Sequence, residues 1–121
     1  MRTVKIINLT ANPVILYDPT GTDVLVTFPK STDKGLKAKM KTETEEWVKV
    51  ELADKSTETI HLTKTTFTKE IGFPPQRLDT LYIVSEVLAR LYKGERNDLR
   101  ICDKLIKKDG KVLGCRSLGK I

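Results

Sequence analysis

Apolar positions along this chain recur mostly with a period of two, and that pattern predicts a β-rich protein. Val4, Ile6, Ile7 and Leu9 form two overlapping alternations, as in a strand buried on both faces. Residues 13–17 predict a second short strand. Asp18-Pro19-Thr20-Gly21 predicts a turn with proline at its second position and glycine at its fourth, and residues 23–28 a returning third strand. Together these segments read as a β-meander. Leu36, Ala38 and Met40 alternate with Lys37, Lys39 and Lys41, and Val48, Val50 and Leu52 alternate with Lys49 and Glu51. Thr42-Glu43-Thr44-Glu45-Glu46 between them reads as a hairpin connection. Residues 57–68 are threonine-rich around Ile60 and Leu62, which favours strand over helix.

Gly72-Phe73-Pro74-Pro75-Gln76 interrupts regular structure and is the clearest break in the chain. After it the period changes once. Leu81-Tyr82-Ile83-Val84 reads as a buried strand, and Ser85 as the N-cap of a helix over residues 85–93. Glu86 suits the first turn, Val87, Leu88, Leu91 and Tyr92 share a face, and Gly94 ends the helix. Residues 99–106 and 111–118 flank Asp109-Gly110, a pair favoured in two-residue hairpin turns. That turn opposes Lys108 to Lys111 and makes Cys102 and Cys115 diagonal neighbours. The expected architecture is a single α+β domain over residues 1–121: about seven strands, mostly antiparallel, in a small barrel or sandwich-like sheet with one helix near residues 85–93. Small β-rich proteins often cover their sheet edges by self-association, so a homo-oligomer is expected.

Composition narrows the class. The chain has 121 residues, 39% hydrophobic and 31% charged, which suits one globular core. No apolar run is long enough to cross a bilayer, and Lys5 and Asn8 interrupt the only apolar stretch near the start, so a cytoplasmic location in a microbial or virus-infected cell and no membrane partner are expected. Charge is distributed unevenly. Residues 1–89 carry twelve Lys/Arg and twelve Asp/Glu, whereas residues 90–121 carry ten against four, the whole of the formal +6. A one-sided charge of this kind points to an anionic partner.

The same segments resemble a known group of proteins. Asn8-Leu9-Thr10 followed by Pro13-Val14 resembles an opening usually written N-L-T-P-H-P-V, with Ala11-Asn12 standing where that opening has Pro-His. Tyr82-Ile83-Val84-Ser85, Leu88-Ala89, Arg96-Asn97-Asp98-Leu99 and Gly114-Cys115-Arg116-Ser117-Leu118 follow in the same order. The chain is thus similar, over both of its ends, to a family of small, largely uncharacterised phage, prophage and bacterial proteins. The resemblance implies a viral or mobile-element context and no particular chemistry.

Candidate site residues follow from chemistry. Ser85 stands where a strand gives way to a helix, a place that caps the helix or holds an anion, and no glycine-rich loop accompanies it. Arg96 offers a planar fork for phosphate, and Asn97 and Asp98 can read a ribose or base edge, or Arg96 and Asp98 pair to shape the loop. Arg116 and Ser117 lie on the last strand. Asn8, Thr10 and Asn12 alternate and either line a pocket or satisfy a turn. Lys104, Lys107, Lys108 and Lys111 surround the last hairpin and suit a nucleic-acid backbone or simply protect an edge. Trp47 stacks on a base or anchors a core or interface. Two cysteines and one histidine, His61, give no metal-ligand spacing and no set of catalytic groups, so no cofactor or metal is expected.

The leading expectation is non-enzymatic binding of a small anionic ligand of nucleotide type through Asn8, Thr10, Ser85, Arg96, Asn97, Asp98, Arg116 and Ser117. In a viral setting this would sequester a host immune signal. The alternatives are nucleic-acid binding through the basic hairpin, a nucleotide hydrolase using Asp98 with a metal, and a host-protein-binding module.

Overall fold

The computed structural model describes residues 1–31, 39–68 and 73–121. In chain order the elements are β1 (Lys5–Asn8), β2 (Val14–Tyr17), β3 (Val24–Phe28), β4 (Lys39–Glu51), β5 (Thr57–Thr68), β6 (Thr80–Ile83), α1 (Glu86–Leu91), β7 (Leu99–Lys108) and β8 (Lys111–Gly119). β4 and β5 make one compact unit, and the described residues before and after them make another.

In the larger unit six strands form one sheet in the order β1-β6-β7-β8-β2-β3. Its two end strands approach each other through a bridge between Asn8 and Lys30, and Ser31 N donates to Asn8 O at 3.0 Å, so the sheet is a nearly closed barrel. Mixed strand directions replace the mostly antiparallel arrangement expected. β1–β6, β6–β7 and β2–β8 are parallel, while β2–β3 and β7–β8 are antiparallel. Nor do the first three strands form a meander, because β1 pairs with β6 rather than β2. Continuous apolar runs such as Ile6-Ile7 and Leu81–Val84 belong to strands flanked by parallel neighbours, and alternation along a strand carries no information on which neighbour it takes.

Leu9, Tyr82, Val84, Leu88, Ala89 and Leu99 are the core of this unit, with Ile7, Phe73, Tyr92, Ile101 and Ile121 packed around it. α1 exists to close it. Ser85 Oγ accepts from Leu88 N at 3.3 Å, Glu86 and Arg90 pair at 2.7 Å, and Leu88 and Ala89 are buried on the inner face. Gly94, at φ +86°, follows as the chain leaves the helix.

The β7–β8 turn is as expected, with Asp109 and Gly110 both at positive φ, as a two-residue hairpin of this twist requires. A bulge then shifts the register between Ile106 and Lys107, so Cys115 faces Leu105 and Cys102 faces Leu118 rather than lying on the expected diagonal. Gly114 is required on β8, since any Cβ there would collide with the Ile15 carbonyl and the Tyr17 ring on β2.

The smaller unit is an antiparallel two-stranded ribbon paired from Lys39–Thr68 at its base to Glu51–Thr57 at its tip. Thr42–Glu46 is therefore strand, not a hairpin connection; its threonines pair with Thr65 and Thr63, Lys41 bridges Glu43 at 2.7 Å, and the ladder shifts between Thr44 and Glu46. The true turn is at 52–56, where Lys55 N donates to Leu52 O at 3.0 Å with Lys55 at φ +72°. Of the basic strand expected over residues 36–41, Leu36, Lys37 and Ala38 lie outside the described residues.

Candidate functional site

The polar residues singled out from the sequence do not gather in one place. Asn8 is 2% exposed, and its side chain is fully used. Nδ2 donates to Asn12 O at 2.8 Å and Phe28 O at 3.1 Å, while Oδ1 accepts from Thr10 N at 2.9 Å and Thr10 Oγ1 at 2.6 Å. The Asn8–Asn12 set is thus a turn clasped to the end of β3, not a pocket lining. Ser85 caps a helix of six residues, too short to present an anion site. Arg116 is exposed on β8 and crosses the Asp18–Gly21 turn, where a Cβ on Gly21 would lie 2.8 Å from its Nε. Ser117 faces Asp103. Arg116 lies level with the middle of β7, whereas Arg96 precedes the start of β7 at Leu99. At about 3.3 Å per strand residue, the two are not placed to share a small ligand.

Arg96 is spent internally as well. Nε donates to Asp98 Oδ1 at 2.9 Å, Nη2 to Asp98 Oδ2 at 2.7 Å, and Nη1 to the Pro74 carbonyl at 2.8 Å. Its guanidinium lies 4.8 Å from the Phe73 ring centre and 5.9 Å from that of Tyr82. Burial pushes the Asp98 carboxyl up, but the hydrogen bonds and charge of Arg96 outweigh it and hold Asp98 below the usual carboxylate range. The hydrogen bonds from Asp98 likewise raise Arg96, against the opposing effect of burial. With all three guanidinium nitrogens already engaged and both Asp98 oxygens held by Arg96, neither the phosphate-clamp role of Arg96 nor the hydrolytic role of Asp98 is supported. This pair fastens the loop before β7 to the Phe73–Pro74 segment.

What the pair supports is a cleft above it. An open cavity of about 520 Å³ is lined by Arg2, Gln76, Arg77, Leu78, Asp79, Asn97, Asp98, Arg100 and Lys120, among others. An adjoining recess of about 300 Å³ shares Gln76, Asn97 and Lys120. Arg77 lies in the loop leading into β6, whereas Arg100 pairs with Ile83 at the far end of β6 and reaches the cleft by turning its guanidinium back to the loop before β7. Arg100 Nη1 donates to Asn97 O at 3.0 Å and Leu99 O at 2.8 Å, which fixes the guanidinium without neutralising it. Gln76 Nε2 donates to Asn97 Oδ1 at 3.3 Å. Arg2 sits 3.8 Å from Asp79, and both are well exposed. Among the described residues, Arg77, Arg100 and Lys120 have no carboxylate within ion-pair distance. Asn97 and Asp98 are the only members of the expected set that reach this cleft. Its cations were not legible, because a lone arginine beside a strand carries no signal until strand direction is known.

The remaining candidates stand apart. Lys104, Lys107, Lys108 and Lys111 are all exposed, make no ion pair among the described residues, and share the hairpin tip with exposed Leu105, Val112 and Leu113. Trp47 is 64% exposed, so it is not a core anchor, and its ring stacks on His61 at 4.4 Å. Cys102 and Cys115 are free thiols in mutual contact. Desolvation first, then the hydrogen bond with Cys115, pushes Cys102 up to about 12, the reverse of an activated nucleophile. No metal-binding cluster of His, Cys, Asp and Glu occurs among the described residues, and none of their helices is long and apolar enough to cross a membrane. In comparisons with known proteins, no family model, no curated protein and no solved structure matched the chain.

Proposed function

We propose that the cleft beside the β6 and β7 starts binds a small anionic ligand of nucleotide type without transforming it. The observation that carries this reading is the convergence of Arg77, Arg100 and Lys120, none with a carboxylate partner among the described residues, on a cavity of about 520 Å³. That volume falls within the range of small-molecule sites. Arg2, Arg77, Arg100 and Lys120 outnumber the two carboxylates of the cleft, Asp79 and Asp98, and an anion relieves the repulsion among the cations. Arg100 and Arg77 supply forked donors for phosphate, Lys120 a mobile point charge, and the Gln76 and Asn97 amides donors and acceptors for a base or sugar edge. Leu78, 91% exposed at the rim, offers apolar area to a ring. In the viral setting implied by the sequence resemblance, such binding would sequester a nucleotide signal of the host.

Calorimetric titration with nucleoside mono- and diphosphates, cyclic dinucleotides and inorganic phosphate tests the reading. Saturable binding of a nucleotide well beyond that of phosphate, lost in Arg100→Glu but retained in Arg116→Glu, is expected. Equal affinity for all anions, or retention in Arg100→Glu, removes it.

A second reading rests on the four exposed lysines of the β7–β8 hairpin, unpaired among the described residues, which suit a nucleic-acid backbone. It expects affinity that falls steeply with salt and is lost in the Lys107→Glu/Lys108→Glu double variant, with Arg100→Glu without effect.

A further inference from the structure

Strand β5 is twelve residues long, and among the described residues it pairs with β4 alone, leaving its other edge without a strand. An isolated two-stranded ribbon is marginal in water, and an open edge of that length is ordinarily protected by proline, clustered lysine or a bulge. β5 has none of these. The ladder irregularity lies on the β4 side, between Thr44 and Glu46, so β5 itself runs regularly. Its only charges are Glu58 and Lys64, of opposite sign and three residues either side of His61.

The symmetry extends outward from His61. Reading both ways, Ile60 answers Leu62, Thr59 answers Thr63, Glu58 answers Lys64 and Thr57 answers Thr65. An antiparallel strand laid on this edge with His61 opposite its own copy would therefore meet aliphatic with aliphatic, threonine with threonine and acid with base at each rung from Thr57 to Thr65 on either side of the central His61 pair, the cross-strand pairs that stabilise sheets. Shifting the register by one residue in either direction would bring Glu58 and Lys64 opposite threonines and lose both ion pairs.

We infer that β5 is a self-association edge: two copies of this chain pair their β5 strands antiparallel about a two-fold axis at His61, making a four-stranded sheet β4-β5-β5-β4. An isologous interface demands a self-complementary surface, and this strand is one. The β3 edge in the larger unit is a poorer rival. It is five residues long, carries no matching symmetry, and ends where Lys30 already bridges Asn8.

The experiment is sedimentation equilibrium of the full chain from micromolar to sub-millimolar concentration. Wild type is expected to associate reversibly to twice 13.7 kDa. Glu58→Lys and Lys64→Glu each place like charges opposite one another at two rungs, and each alone is expected to weaken the dimer about tenfold. Mixed in equal amounts the two variants are complementary at both rungs, so the mixture is expected to recover wild-type affinity. Far-UV circular dichroism and Trp47 emission, which reports the stack on His61, show that the ribbon is intact in each protein. A wild type monomeric throughout the range, a variant that dimerises like wild type, or a mixture no tighter than its components each overturns the proposal.

Discussion

Arg96 and Asp98 form a two-point ion pair whose side chains are only 13% and 7% exposed, and the loop carrying them is held by it. Two residues apart in sequence, they close a short ring before β7. The third nitrogen of Arg96 reaches across to Pro74, while Tyr82 OH donates to the Pro75 carbonyl at 3.1 Å. The break at Pro74-Pro75 is thus sewn to the core on both sides, and the floor of the cleft is rigid. This frees Gln76, Arg77, Asn97 and Arg100, which flank the stitched segments, to face the cavity.

Removing one member of that pair strands the other. Arg96→Ala leaves the buried Asp98 carboxylate without its cation and the two hydrogen bonds from it, and is expected to cost about 3 kcal/mol, the scale found when buried pairs are broken. Urea denaturation at neutral pH measures it. A loss below about 0.5 kcal/mol, the scale of an exposed pair, would mean that the loop is held by other contacts.

The pair also gives stability an acid limb. Asp98 is held below its ordinary value, so folded Asp98 takes up a proton at lower pH than the unfolded chain does. Its contribution is complete above the unfolded value of about 3.9 and is lost as pH falls from there through the folded value. Asp98→Asn removes this part of the slope. Comparing urea midpoints of the two proteins from pH 6 downward should show them converging as acid is added; parallel curves would contradict the assignment.

Asn8 allows a prediction of opposite sign. Its Nδ2 points at two carbonyl oxygens, those of Asn12 and Phe28. Asn8→Asp replaces that donor with an anionic oxygen in a buried site, so the variant should be destabilised by about 3 kcal/mol or more at neutral pH. Protonation restores a donor, which raises the folded-state value of the new carboxyl, and the deficit should shrink as pH falls toward that of an ordinary carboxylate. A deficit independent of pH would show that the turn rearranges to avoid the two carbonyls.

How far the sequence could be read divides along a physical line. Local chemistry was legible: the Ser85 cap, the Asp109-Gly110 turn and the Asp18–Gly21 turn, whose Gly21 N donates to Asp18 O at 2.9 Å, form where the residues dictate. The strand-rich α+β character followed from the period of two. Strand neighbours were not legible, because Ile6 and Ile7 on β1 find Leu81 and Tyr82 across more than seventy residues of chain. Thr42–Glu46 misled because polar residues on a ribbon exposed on both faces look like a loop. The cleft was missed for the same reason as the parallel pairing that creates it, whereas Arg96 drew notice as a ligand group although a neighbouring aspartate two residues on was ready to pair with it. Trp47 shows the limit from the other side: of the roles read for it, stacking on a base or anchoring a core or interface, the core role fails because the ring lies exposed against His61.

The thiols supply a last test. Cys102 is half-buried, and desolvation first, with the fully buried Cys115 second, pushes its thiol up to about 12. Near pH 8 the folded protein therefore holds almost no thiolate there, while the unfolded chain, with an ordinary value near 8.5, holds a substantial fraction. Because the thiolate is the reactive form, iodoacetamide should label the folded protein at least about a hundredfold more slowly than the protein in denaturant. The linkage has a definite sign as well. A raised folded-state value contributes stability that is complete below the unfolded value and is lost as pH rises from about 8.5 towards 12, so wild type should lose stability at alkaline pH relative to Cys102→Ala. Mass spectrometry of labelled peptides reads the first effect and alkaline urea curves the second. Rapid labelling of Cys102 in the folded protein would show that the last hairpin opens readily around its bulge.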